Sequence, residues 1–218
     1  MEAMRFWRTT VGKKTVMAVT GVVMILFLIA HLVGNLLVFR GPVQLDAYSA
    51  FLKHEAIALW TVRLVLLAAV VLHVIAAYQL ARDDRAARLN SYVRLEPQTA
   101  TLASRTMRVG GIVIAVFVIF HLLHLSTGTI RPAPFDAVRV YTNVIGGFRI
   151  WWVSAIYLVA LAAIGLHLYH GAWSWARTLG LSRPSTAPLD RPVAIVVALL
   201  IWIGFTSIPL TILFGLVR

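Results

Sequence analysis

"VMAVTGVVMILFLIAHLVGNLLVF", residues Val16 to Phe39, holds one ionisable side chain, His31, in an apolar run that meets the roughly 20 residues a membrane-spanning helix needs. Arg5, Arg8, Lys13 and Lys14 precede it, as in a cleaved signal, yet the run exceeds a signal's apolar core and no small-x-small site follows. It is expected to stay as a first transmembrane helix. Working outward, Leu64–Ala81, Val109–Leu125 (continuing over Ser126 to Gly128), Ile150–Ala176 and Val193–Val217 read as four more spans. The predicted fold class is all-α integral membrane, five transmembrane helices in a single domain over residues 1–218.

Composition agrees: 60% of the 218 residues are hydrophobic and 13% charged, and the mean hydropathy of +0.85 lies outside the soluble range. A formal charge of +12 would suit nucleic acid, so its placement decides. Thirteen of the twenty Lys/Arg fall at the N-terminus (Arg5, Arg8, Lys13, Lys14), in the second connection (Arg82, Arg85, Arg88, Arg94, Arg105, Arg108) and in the fourth (Arg177, Arg183, Arg191). The other side holds Arg40, Lys53, Arg63, Arg131, Arg139, Arg149 and Arg218. This asymmetry predicts a multi-pass protein of the cytoplasmic membrane with its N-terminus inside, its charge serving topology and lipid contact and no nucleic acid.

The chain has no cysteine, which excludes a thiolate-held iron–sulfur cluster and covalent CxxCH haem attachment. It also lacks a Gly-rich phosphate loop and a GxSxG. All eight acidic residues (Glu2, Asp46, Glu55, Asp83, Asp84, Glu96, Asp136, Asp190) lie outside the five apolar runs. Ion transport through a buried carboxylate and metal-assisted hydrolysis therefore have no candidate residue.

Histidine is distributed oppositely. His31, His73, His121, His124, His167 and His170 sit within the spans, and only His54 lies in a connection. A lone intramembrane histidine reads best as a structural side chain bonded to a neighbouring helix; six of them on four consecutive helices favour function. His31 lies 9 residues before Arg40, His73 9 before Arg82, His121 10 before Arg131 and His167 10 before Arg177. At about 1.5 Å per residue all four sit about 14–15 Å from those arginines. Successive helices alternate in direction, so His31 and His121 share an outer level and His73 and His167 an inner one.

Two histidines from different helices at one depth are what bis-imidazole ligation of a haem iron requires, one ring on each face of a porphyrin. The pattern predicts two b-type haems. Taking Lys14 to Arg40 as about 39 Å and subtracting about 13.5 Å at each end leaves roughly 12 Å between the levels, a separation electrons can cross. His124 and His170 lie three residues beyond a ligand, turned by about 60° from it. The corresponding positions after His31 and His73 are Gly34 and Ala76, so the first two helices form a weak repeat of the next two. The register selects His121 and His167 as ligands, with His124 and His170 as the alternatives.

At the inner ends, Lys14, Arg105, Arg108 and Arg177 could pair with haem propionates, and contact with inner-leaflet lipid accounts for them equally well. Arg63, Arg149, Trp151 and Trp152 read as interfacial anchors. The fifth span, with no histidine and with Gly204 and Pro209, is expected to pack outside a haem-binding bundle of the first four.

"GKKTVMAVTGVVMILFLIAHLVGN" (Gly12–Asn35), "RVGGIVIAVFVIFHLLH" (Arg108–His124) and "LHLYHGAWSWARTLGL" (Leu166–Leu181) together resemble the dihaem, single-anchor cytochrome b subunit of succinate dehydrogenase and fumarate reductase. The resemblance covers the four histidine helices and, more loosely, the fifth. It implies a membrane anchor for an iron–sulfur subunit and a flavoprotein subunit on the cytoplasmic side, exchanging electrons with quinone, commonly menaquinone. The dicarboxylate active site then lies on a partner chain. The resemblance puts the inner haem on His73 and His167 and the outer haem on His31 and His121, and it leaves higher oligomers open. Some members carry a glutamate inside the membrane two residues before the fourth ligand, linked to transmembrane proton movement; here that position is Gly165, which puts such a path in doubt.

On that reading electrons from succinate pass from the inner haem to the outer and on to quinone. His54 and Glu55, in the outer connection Asp46–Glu55, could exchange protons with quinone there; ordinary loop solvation is the simpler reading of both. The rival readings are a dihaem cytochrome b of another quinone-linked dehydrogenase and a histidine-relay transporter without haem.

Overall fold

The computed structural model describes residues 6–87 and 101–218; of the charges counted above, Glu2, Arg5, Arg88, Arg94 and Glu96 lie outside the described residues. The first long helix, α1 (Thr10–Asn35), starts at Thr9, whose Oγ1 accepts from the Gly12 N–H at 2.9 Å, a cap worth about 1 kcal/mol. It tightens into a 3₁₀ turn, Leu36–Arg40, and the chain then reverses at Gly41, whose φ of 98° an L side chain rarely adopts. Pro42 opens α2 (Pro42–His54), where its missing N–H costs nothing. The next element is α3 (Ala56–Ala86).

Thr101 caps α4 (Leu102–His121) through a bond from the Ser104 N–H at 3.2 Å. Directly after His121 the helix widens into a π turn, Leu122–Ser126, closed by Thr127 N–H donating to the Leu122 carbonyl at 2.9 Å. Gly128, at φ 64°, ends it. The remaining elements are α5 (Val140–Phe148), α6 (Trp151–Thr178) and α7 (Ala187–Leu213). The described residues are all helix, turn and loop, with no strand.

Five segments are long and apolar enough to cross a membrane: Thr10–Arg40, Ala56–Ala86, Leu102–Ser126, Trp151–Thr178 and Ala187–Leu213. They match the five apolar runs of the sequence and extend most of them. Their outward faces carry exposed Leu26, Leu64, Leu67, Ile112, Val116 and Leu200, a surface suited to lipid. Two shorter helices were not legible as such. Asp46–Glu55, read as a connection, lies almost wholly within α2, and α5 precedes the fourth span.

The four histidine-bearing spans pack in the order α3, α1, α6, α4, and α7 lies along α6 and also meets α1. Consequently α1 and α4, and likewise α3 and α6, face each other diagonally. Lipid offers no hydrophobic drive between helices, so approach depends on small residues. A Cβ on Gly165 would stand 3.1 Å from Trp202 of α7, and one on Gly204 would stand 2.8 Å from Leu32 of α1. Ala160, Ala194 and Ala198 are buried in the same layer. The fifth span thus lies outside the row as expected, yet its Phe205 ring reaches to 5.7 Å from that of His31.

Each end of the bundle is tied differently. At one end α2, α5 and the segment before α5 form a cap over Val38, Val144, Phe148, Tyr157 and Ile212. The Tyr141 N–H donates to Asp46 at 2.8 Å, Lys53 to the Ala137 carbonyl at 2.6 Å, and Asn143 and Asp136 exchange two bonds. At the other end ion pairs join helices: Lys13 with Asp83 (α1 to α3), Arg108 with Asp84 at 3.5 Å (α4 to α3) and Arg177 with Asp190 at 3.4 Å (α6 to α7). Lys13, counted above only as a topology charge, is buried in its pair.

Candidate functional site

The two diagonals each bring two histidine rings together across the bundle. The ring centres of His31 (α1) and His121 (α4) are 6.0 Å apart with planes at 84°, and those of His73 (α3) and His167 (α6) are 6.2 Å apart at 54°. Metal–imidazole bonds are about 2 Å long, so one metal held between two rings sets their centres about 6 Å apart. Both pairs stand at that separation. Among the described residues no cluster of three or more His, Cys, Asp or Glu converges.

Hydrogen bonding orients these rings. Thr20 Oγ1 donates to the Val16 carbonyl at 2.7 Å and lies 3.1 Å from His73 Nδ1, so the hydroxyl oxygen accepts from an Nδ1–H and leaves Nε2 free. Nδ1 of His121 lies 3.2 Å from the Tyr157 hydroxyl. Nδ1 of His167 is buried without a partner among the described residues. Asn35 Nδ2 donates to the His31 carbonyl at 2.7 Å and lies 3.3 Å from His31 Nδ1. Phe27 stacks on His31 at 5.2 Å, and Phe117 lies 5.9 Å from His121.

Two glycines clear space beside the second pair. A Cβ on Gly21 (α1) would lie 3.7 Å from His73 Cε1, and one on Gly111 (α4) would lie 3.9 Å from His167 Cε1. Each glycine is followed ten residues later by the histidine its own helix gives to the other pair, His31 or His121. Ten residues rise about 15 Å, which measures the separation of the two levels along the helices against the roughly 12 Å expected from the arginines. Arg40 and Arg177 stand at the ends of their spans, whereas α3 runs four residues past Arg82 and Arg131 lies beyond the π turn.

The second histidine of each HxxH stands apart from the facing pairs. His124 is buried at 4% exposure, with Nδ1 3.0 Å from the same Tyr157 hydroxyl, and packs against Gly147 so closely that a Cβ there would lie 2.8 Å from its ring. His170 lies 6.0 Å from the Trp173 ring, its Nδ1 and the Trp173 Nε1 both buried without partners among the described residues.

The basic candidates are spread over the ion-pair end. Lys14 and Arg105 are exposed, Arg108 is engaged by Asp84, and Arg177 bonds Asp190 and lies 4.9 Å over Trp173, which Arg191 also covers. His54 and Glu55 pair with each other at 3.4 Å on the exposed end of α2, 86% and 52% exposed, and are not drawn into the bundle. Sequence reasoning missed Thr20, Tyr157, Gly21 and Gly111; the ten-residue glycine-to-histidine spacing, present twice, was the signal for the last two.

Compared with known proteins, the chain matches no family model, no curated protein and no solved structure. The site is accordingly interpreted from its own geometry.

Proposed function

We propose that this chain is the dihaem cytochrome b anchor of a succinate:quinone oxidoreductase, with the iron–sulfur and flavoprotein subunits docked on the ion-pair end, at the cytoplasmic face of the cell membrane. The observation that carries the haem reading is the pair of facing histidines on each diagonal, at 6.0 and 6.2 Å. The orphaned Nδ1 of His167 and the glycines facing His73 and His167 fit a flat, bulky group between those rings. Haem bound there supplies one-electron carriers at two depths of the bilayer.

In this reading His31 and His121 hold the outer haem and His73 and His167 the inner. Thr20 keeps the Nδ1 proton on His73, directing Nε2 at the iron. On His31, ligation through Nε2 requires the Asn35 amide to turn its oxygen toward Nδ1. Phe27, Phe117 and Phe205 shield the outer pair from water. The predominance of Lys and Arg at the ion-pair end supports an N-terminus inside. The choice of succinate dehydrogenase or fumarate reductase, and of quinone (menaquinone by preference), rests on the three resembling segments.

Gly165 carries no carboxyl, and a Cβ there would press on Trp202 at 3.1 Å, which together argue against a proton path through this position. Purification of the native complex from membranes tests the whole reading. Two b haems per chain with a covalently flavinylated partner and an iron–sulfur partner are expected. Haem with different partners favours another quinone-linked dehydrogenase, and a colourless chain removes the haem reading in favour of a histidine relay.

A further inference from the structure

The Tyr157 hydroxyl is placed between two histidines of one helix. It lies 3.2 Å from His121 Nδ1 and 3.0 Å from His124 Nδ1, and the tyrosine is only 5% exposed. Three aromatic rings fix it edge-on: Phe148 at 4.7 Å, Phe117 at 4.9 Å and Phe120 at 6.0 Å. The π turn after His121 and the bare Cα of Gly147, against which His124 packs, accompany this arrangement. The π turn closes the C-terminal end of α4, so His124 leaves the α-helical register of His121 just where both rings meet the tyrosine.

A hydroxyl has one hydrogen to give, so the direction of both bonds follows from one choice. If His121 ligates through Nε2, its Nδ1 keeps a hydrogen, and the tyrosine oxygen accepts it. The tyrosine hydrogen then goes to His124 Nδ1, which has to be bare, leaving His124 with its hydrogen on Nε2. We propose that Tyr157 is a positioning residue for the outer haem, fixing the tautomer and orientation of His121 and passing the hydrogen-bond polarity on to His124. This rests on the haem reading above and assigns His124 a role that neither ligation nor propionate contact supplies. An acceptor on the far nitrogen makes an imidazole a stronger donor to iron and favours the oxidised metal; the tyrosine accepts more strongly because it donates in turn.

The test is redox titration of the b-type absorbance in membranes carrying the complete complex, wild type against Tyr157→Phe, which retains the ring and removes the hydroxyl. The expected result is retention of both haems, an unchanged inner midpoint and an outer midpoint raised by about tenfold in the reduced-to-oxidised ratio, about 59 mV for one electron. His124→Phe should shift the outer midpoint the same way and by less. Histidine-selective ¹⁵N spectra of the reduced wild-type complex should show His124 bare at Nδ1, a readout independent of how any variant folds. An unmoved outer midpoint in the phenylalanine variant, equal movement of both midpoints, or an Nδ1–H tautomer at His124 overturns the proposal. A wild-type complex without b haem overturns the functional reading itself, before any variant is compared.

Discussion

Gly21 of α1 faces the His73 ring of α3, its Cβ position 3.7 Å from Cε1, and Gly111 of α4 faces His167 of α6 in the same way at 3.9 Å. Neither glycine is needed for a turn. Both sit within spanning helices, and a Cβ at either would meet the histidine ring at ordinary van der Waals distance, so a methyl fits there while a longer side chain fills the space beside the ring.

Replacing Gly21 or Gly111 by leucine should therefore remove the haem of the His73–His167 level and leave the other. The reduced-minus-oxidised b band should fall to about half. Full retention of both haems in both variants would sink the assignment of this space to a macrocycle.

His73→Ala and His167→Ala should each lose the same haem, and His31→Ala and His121→Ala the other, which a pyridine haemochrome ratio per chain will report. His124→Ala and His170→Ala should keep both. Haem loss in the latter two, with retention in the His121 and His167 variants, would transfer ligation to the second histidine of each HxxH.

Gly165→Glu should disrupt the α6–α7 interface, because Trp202 already lies 3.1 Å from the Cβ position. Overpacking of this kind costs about 1–3 kcal/mol, read as a lower midpoint of thermal unfolding in detergent. Adding Trp202→Ala should recover part of the loss, and a double variant no more stable than the single would show the clash lies elsewhere.

The cap carries its own pH dependence. The Val138 N–H, the Arg139 side chain and the Arg139 N–H all donate to the Asp136 carboxylate, bringing its pKa down to about 2. A depressed carboxyl pKa contributes stability that is complete above the unfolded value of about 3.9 and is lost as pH falls toward 2. The protection of α5 amides against exchange, taken relative to the intrinsic rate at each pH, should fall across that window. Asp136→Asn should flatten this dependence, and an identical acid response in wild type and variant would contradict it.

The five spans and the cross-helix partnering of histidines could be read without coordinates, because both are local quantities: run length, and residues counted along a helix from a charged marker. What escaped was set by long-range contact or by short amphipathic pieces. Nothing near Lys13 in the chain announces a buried pair with Asp83, and Tyr157 is one aromatic among many until α6 is laid against α4. Helix α5 contains Gly146 and Gly147, poor helix formers, and holds its shape because the cap packs on it. The π turn has no marker in the sequence, since Leu122, Leu123 and Leu125 suit an α-helix equally well.

Glycine and histidine alternate between the two levels along α1 and α4. Each helix serves both levels, so a slip by one residue, about 1.5 Å of rise and 100° of rotation, displaces a histidine at one level and a glycine at the other. The two levels are thus yoked mechanically: neither can be re-spaced or re-aimed alone by moving a helix. Independent adjustment is left to side chains that reach only one of the two levels, Thr20 beside His73 and Tyr157 beside His121.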